Sequence, residues 1–353
     1  MKKPNKNLIL LQIKENVKFR NNYSSLKKEL FLKRKLSRAN SKNYTYTNYP
    51  LPECLDILNK QGRALTLKAI NGIKDHSNDT NRPYFDFSRV KVLTPMAMIY
   101  FKQLLEKHSE LICRGRPSQN PIVTGMLSKL KIAKRLGINE LESKHQLVEK
   151  WYFFSGENTD LGEQYDEIEN VLIEKFGEDS ETFDVINTAI GEAVINVVNH
   201  AYKDSDKYKK WYLFLWITSE KCNVVISDLG MTIPNSIPTK ISDNILQRIF
   251  NIQSWGSLND DVKIEIATQY QKTATKLPNR GKGFQDMKAV CDQVDGSVMM
   301  IHSKGGFWAK STKKEEKFKK QNYKSIVDGT IISWLLPLDN STLKVDQSTN
   351  FEK

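Results

Sequence analysis

The stretch from Ser180 to Tyr202, SETFDVINTAIGEAVINVVNHAY, constrains this chain more than any other. At 100° per residue, Phe183, Ile186, Ile190, Val194, Val197, Val198 and Ala201 fall on one helical face. Glu192, Asn196 and Asn199 form a narrow stripe on the opposite side, and His200 flanks it. A half-apolar helix is ordinary. A stripe of one carboxylate, two carboxamides and an imidazole is less so. The chain has 54 Lys and Arg residues, so a merely solvated face should carry lysine, yet this helix has none before Lys203.

Two later stretches carry matching signals. Asn223 to Pro234, NVVISDLGMTIP, reads as a strand ending in an Asp and a Gly turn. Asn279 to Phe284, NRGKGF, is a Gly-x-Gly turn that opens into the helical run Phe284 to Val294. In this order the three stretches resemble the ATP site of the GHKL superfamily (gyrase B, Hsp90, sensor histidine kinases, MutL and anti-sigma-factor kinases). Glu192-x-x-x-Asn196-x-x-x-His200-Ala201-Tyr202 is similar to its first box, and Asp228-x-Gly230-x-Thr232-Ile233-Pro234 to its second. Gly281-x-Gly283-Phe284 is similar to the third, and Gly329-Thr330 to the last. The resemblance runs from about Gln164 to Leu338.

It implies a Bergerat-type two-layer α/β sandwich, with helices on one face of a mixed sheet. It also implies ATP and Mg²⁺ as ligands. The Asn196 carboxamide would supply an oxygen to Mg²⁺, with phosphates and water completing the shell. Glu192, one turn earlier, would activate a water in the ATPase branch or a substrate hydroxyl in the kinase branch. Asn199 and His200 extend the nucleotide-binding stripe; His200 either reaches a phosphate or caps its helix. Asp228 would accept the adenine amino proton, and Gly230 would let the backbone approach closely. Thr232 stands where the family usually has Gly. Gly281 and Gly283 would present N–H groups to phosphates at a helix start, with Arg280 and Lys282 adding charge and Phe284 closing the box. Thr330 would bond adenine or a water beside Asp228.

The run Tyr84 to Lys107, YFDFSRVKVLTPMAMIYFKQLLEK, resembles the core of a STAS domain. Thr94 stands where that family's regulatory hydroxyl would be, and before Pro95 it also reads as an N-cap. The family's Asp-Ser-x-Gly pattern is absent. The fold class expected is therefore α/β, a STAS-like domain followed by the Bergerat-type domain.

Charge completes the division. The chain has 353 residues and a net charge of +13. Thirteen basic side chains but only Glu15 and Glu29 lie between Met1 and Lys42, a local charge of +11. This is a basic arm on a nearly neutral remainder, suited to nucleic acid or an acidic partner. We divide the chain into a basic, poorly ordered arm and linker (1–50), a STAS-like domain (51–140) and a connector (141–163). An ATP-binding domain (164–338) with a lid (235–280) and a polar tail (339–353) follow. Four scattered cysteines without a C-x-x-C pair argue against zinc. No apolar run reaches the roughly 20 residues of a membrane span, and a cytoplasmic protein is expected. The favoured function is a nucleotide-dependent ATPase switch acting on a protein partner. A serine/threonine kinase of the anti-sigma type and a MutL-like, nucleic-acid-associated ATPase are the alternatives, and a homodimer is compatible with all three.

Overall fold

The computed structural model describes residues 44–76, 81–145, 148, 150–237, 244, 247–248, 251–269, 283–312 and 318–338. The basic arm, the tail after Leu338, much of the expected lid, and Arg280, Gly281 and Lys282 lie outside the described residues. The chain divides into two units, residues 1–46 with 79–82, and residues 47–78 with 83–353. In the first, the Arg82 guanidinium lies over the Tyr44 ring at 3.1 Å. All that follows concerns the second.

Its centre is a five-stranded sheet of β6 (Trp151–Gly156), β7 (Trp211–Ile217), β8 (Lys221–Asp228), β9 (Val298–Ser311) and β10 (Phe318–Pro337), in the order β6-β7-β8-β10-β9. Every pairing is antiparallel, so the sheet is not the mixed one expected. β7 turns directly into β8, where the Thr218 N–H donates to the Lys221 carbonyl at 2.9 Å. Strands β9 and β10 pair as one long hairpin, from Leu335 opposite Val298 to Phe318 opposite Lys310.

Strand alternation decides what covers the sheet. In β7, Trp211, Leu213, Leu215 and Ile217 join one core, while Tyr212 and Phe214 join another. The first core is closed by α4 (Asp166–Phe176), α5 (Glu181–His200) and α7 (Gly283–Gln293), through Leu172, Ile190 and Val290 among others. The second core is closed by residues 51–138. The helices of residues 164–338 cover one face only, as expected for that domain, and the preceding 51–138 segment covers the other. The physical reason is composition: strands apolar on both parities cannot leave either face to water.

The 51–138 segment holds β2 (Cys54–Leu55), α1 (Lys60–Ile70), β3 (Asn81–Asp86), β4 (Val92–Leu93), α2 (Pro95–Lys107), β5 (Arg114–Arg116) and α3 (Pro121–Lys129). With β1 (Thr45–Pro50), β3 and β5 form a three-stranded sheet. Residues 45–50 are thus strand rather than linker, and Tyr49 stacks on Phe85. Strand β2 pairs in parallel with β4. Helix α2 is buried continuously from Pro95 to Leu105 because both of its sides are packed. Thr94 precedes it, but its hydroxyl donates to the Leu55 carbonyl at 3.0 Å rather than capping the helix. Helix α3 is followed by a break at Lys131, which has φ 57°, before the short helical turn Ile132–Arg135. Among the four cysteines only Cys54 is exposed.

Arg63 of α1 ties this segment to the long hairpin. It is 0% exposed. Its guanidinium donates to the carbonyls of Ser325 (3.2 Å), Lys304 (3.0 Å) and Ile57 (3.4 Å). It also meets His302 Nδ1 at 3.0 Å and lies over the Tyr323 ring. Burial lowers its pKa to about 10, so it remains charged at neutral pH. Arg63→Met should keep the volume but leave these acceptors unpaired, costing about 3 kcal/mol or more in urea unfolding. A loss within about 0.5 kcal/mol, the range of an ordinary surface substitution, would show that the guanidinium does not hold the hairpin.

Candidate functional site

One pocket of about 530 Å³, its open mouth included, lies on the helical side of the sheet. Helix α5 forms its wall through Ala193, Asn196, Val197, His200 and Ala201. Ser180 starts this helix by accepting the Phe183 N–H at 3.0 Å, and the apolar stripe predicted from sequence seats it on the sheet. Asp228 at the end of β8, with Thr330 and Ile332 of β10, forms the floor. Met231, Ile233, Ser236 and Ile237 follow β8 along one rim, and Phe284 and Met287 of α7 close the other.

Asn196, His200, Asp228, Phe284 and Thr330, all singled out from sequence, line this one pocket. Asn199 does not; it is exposed and off the lining, because the stripe that faces the sheet end runs 193, 196, 197, 200, 201. Glu192 stands one turn before Asn196, beyond the lining and half-buried. Gly283 begins α7 against both, since a Cβ there would lie 2.8 Å from Glu192 Oε2 and 2.9 Å from Asn196 Nδ2. Arg280, Gly281 and Lys282 cannot be placed among the described residues.

Asp228 is 2% exposed. Burial pushes its carboxyl up to about 7, opposed by the Gly230 and Thr330 backbone N–H groups that it accepts and by the more distant Lys107. The Gly230 bond is 2.8 Å. Two glycines permit this setting. Gly329 has φ +64°, and a Cβ there would overlap the Asp228 carbonyl; at Gly230 a Cβ would overlap the Ala201 carbonyl. That carbonyl accepts the Met231 N–H at 2.5 Å, joining the end of α5 to the turn after β8.

Thr232 has φ −69°, a conformation open to any residue, and starts the helical turn Ile233–Ser236. Its hydroxyl is buried with no hydrogen-bond partner among the described residues. The Glu192 carboxyl is raised above its ordinary value, by burial first and by Asp286 second. Asn196 Nδ2 donates to the Glu192 carbonyl at 2.9 Å, which leaves Oδ1 as the acceptor of the carboxamide. A single carboxamide oxygen beside an open mouth suits a hard divalent cation whose other ligands come from phosphate and water.

Two contributors escaped the sequence reading. The Ser303 hydroxyl donates to the Gly329 carbonyl at 3.0 Å, lies 3.0 Å from Thr330 Oγ1 and accepts the Ile233 N–H at 2.9 Å. It joins two sides of the floor, and only strand parity, not any motif, could have marked it. Tyr202 was read as part of a box ending; its hydroxyl accepts the Leu229 N–H at 3.0 Å and donates to the Lys210 carbonyl at 2.7 Å. Both bonds hold the turn that follows Asp228.

The raised carboxyl has a consequence for stability. From its unfolded value of 3.8 to its folded value of about 7, folded protein keeps a proton that unfolded protein has lost. The group's favourable contribution is therefore complete below about pH 4 and is lost as pH rises through 7. Asp228→Asn should gain stability relative to wild type between pH 4.5 and pH 7.5, by roughly 1–4 kcal/mol in urea titrations. An unchanged difference between the two proteins would show that Asp228 ionises normally.

The comparisons with known proteins fit this geometry. No curated protein matches the chain. Residues 154–295 match the family model described as the histidine kinase-like ATPase domain. That range holds α4, α5, β7, β8 and α7, hence Glu192, Asn196, Asp228 and Phe284, while Thr330 and Ser303 lie beyond it. This part of the chain is similar to the histidine kinase-like ATPase domain, which supports a GHKL-type domain that binds ATP.

Proposed function

We propose that the pocket binds Mg-ATP, that Glu192 supports slow hydrolysis, and that the nucleotide state governs contact with a protein partner. One observation carries this reading: Asn196 and Asp228 face the same hollow, one from the helix wall and one from the floor. In this reading the adenine amino group donates to Asp228, which must be ionised to give a charge-assisted bond. Thr330, oriented by Ser303, offers a hydroxyl to the same edge of the base. Met231, Ile233, Phe284 and Met287 sandwich the ring away from water. The phosphates extend toward Asn196 and the start of α7, where N–H groups and the helix dipole favour anions.

Magnesium would neutralise phosphate charge and orient the terminal phosphoryl group. Asn196 Oδ1 would hold it, positioned by the bond from Nδ2 to the Glu192 carbonyl. Glu192, with its carboxyl raised by burial and Asp286, is suited to take a proton from an attacking water. Segment 235–280 is assigned the lid role. Ser236 and Ile237 at its start line the pocket, and Trp255 Nε1 donates to the Pro234 carbonyl at 2.9 Å. The STAS-like reading of residues 51–140 is retained as a proposal, supported by the parallel β3–β5 pairing beside α2. Transfer of the phosphoryl group to a protein hydroxyl would be told from hydrolysis by following labelled ATP in the presence of candidate partners.

Calorimetry should detect ATP binding by wild type, strengthened by Mg²⁺. Asn196→Ala should lose the Mg²⁺-dependent gain, by about tenfold or more in Kd. Affinity should rise between pH 6 and pH 8, with proton release on binding, as Asp228 gives up its proton. Absence of ATP binding by folded wild type would overturn the proposal. Glu192→Gln should bind ATP normally but hydrolyse it about 100-fold more slowly. Unchanged turnover in that variant would remove Glu192 as the base.

A further inference from the structure

Strand alternation gives each floor residue of the pocket a neighbour on the back of the sheet. Asp228 faces the pocket, so Ser227 faces the 51–138 segment; Ser303 accepts the Ile233 N–H on the pocket side of the sheet, and His302 meets Arg63 on the other. The contact behind Asp228 is the most specific. Gln103 of α2 is 0% exposed. Its Nε2 donates to the Ser227 carbonyl at 2.7 Å, and its Oε1 accepts the Ser227 hydroxyl at 2.9 Å. Both ends of one buried amide are therefore spent on one residue.

The rest of α2 packs through Ile99, Phe101, Leu104 and Leu105, which need no such pairing. A buried amide is costly unless its polar atoms are satisfied, so an apolar residue would serve a purely packing role more cheaply. The Ser227 carbonyl and the Asp228 N–H belong to the same planar peptide unit. Holding that carbonyl holds the plane from which the Asp228 side chain departs. One turn earlier on α2, the Tyr100 hydroxyl accepts the Asp328 N–H at 3.1 Å and donates to Asn71 Oδ1 at 2.9 Å. Asp328 is paired with Lys74 at 2.6 Å, and Gly329 and Thr330 follow it. One helix thus grips the residues leading into both polar groups of the floor.

We propose that Gln103 is a positioning residue for base recognition: through Ser227 it sets the orientation of Asp228, with Tyr100 doing the same for the turn before Thr330. Gln103 lies outside the residues matched by the family model, so the 51–138 segment is a working part of the nucleotide site. A partner that displaces α2 would change the affinity for the base without touching the pocket. This inference rests on the ATP reading given above.

The test compares ATP with inosine triphosphate, which carries no amino group for Asp228 to accept. Displacement of a fluorescent ATP analogue, with Mg²⁺ at pH 8, gives both affinities for wild type and Gln103→Leu. Wild type should prefer ATP. Gln103→Leu should weaken ATP binding about tenfold and inosine triphosphate binding no more than about twofold, because only the amino-group contact is misaligned. Equal weakening of both nucleotides, or of neither, would overturn the inference while leaving the ATP reading intact. Failure of wild type to bind either nucleotide would overturn the ATP reading, and this inference with it. Should Gln103→Leu not fold, Ser227→Ala removes one of the two bonds and is judged by the same ratio.

Discussion

Side chains alternate across the five-stranded sheet, and both resulting faces are buried. Everything distinctive about the molecule depends on that. Trp211, Leu213, Leu215 and Ile217 reach the α4, α5 and α7 layer, while Tyr212 and Phe214 reach α2 and its neighbours. With one buried face a one-residue slip already turns the apolar set out to solvent, and with two it would also exchange the two cores. The register Trp211↔Asp228 and Ile331↔Ser227 is therefore rigidly specified. The pocket is built on a strand end that packing holds from two directions.

That rigidity lets a carboxylate stand where water is scarce. Asp228 gains hydrogen bonds from the Gly230 and Thr330 N–H groups, yet burial outweighs them and raises its pKa. In a dry site each remaining polar contact is stronger than it would be in water. Ser303, Thr330 and Tyr202 hold the surrounding turns with neutral hydrogen bonds, and among the described residues Asp228 is the only carboxylate in the pocket lining.

The 51–138 segment is as much part of this fold as the helices on the other side. Arg63 pairs with backbone carbonyls and His302 rather than with an acid, a pattern that locks chain geometry instead of balancing charge. His302 is held well below its ordinary pKa by burial and by Arg63, so it stays neutral and accepts from the guanidinium. A second polar group on the same face joins Tyr208, Tyr212 and Glu106, with Tyr212 donating to the Glu106 carboxylate. Buried networks of this kind are directional, unlike apolar packing. They determine how α1 and α2 sit against the sheet as well as that they sit there.

The periodicity of Ser180 to Tyr202 determined a helix with one apolar and one polar side, and the Asp-x-Gly turn determined the end of a strand. Local pattern suffices for such features, because the 3.6- and 2-residue periods are properties of single elements. Five of the box residues, Asn196, His200, Asp228, Phe284 and Thr330, line one pocket. What only tertiary structure decided is which neighbour stands behind each of them. Asn199 shares the stripe on a helical wheel but is turned to solvent, because the sheet ends beside residues 196 and 200. Ser303, Gln103 and Arg63 carry no motif, and their partners lie 27, 124 and 239 residues away in the chain. No local pattern encodes contacts of that span; they arise when two cores close on one sheet and most buried polar atoms find a partner across it.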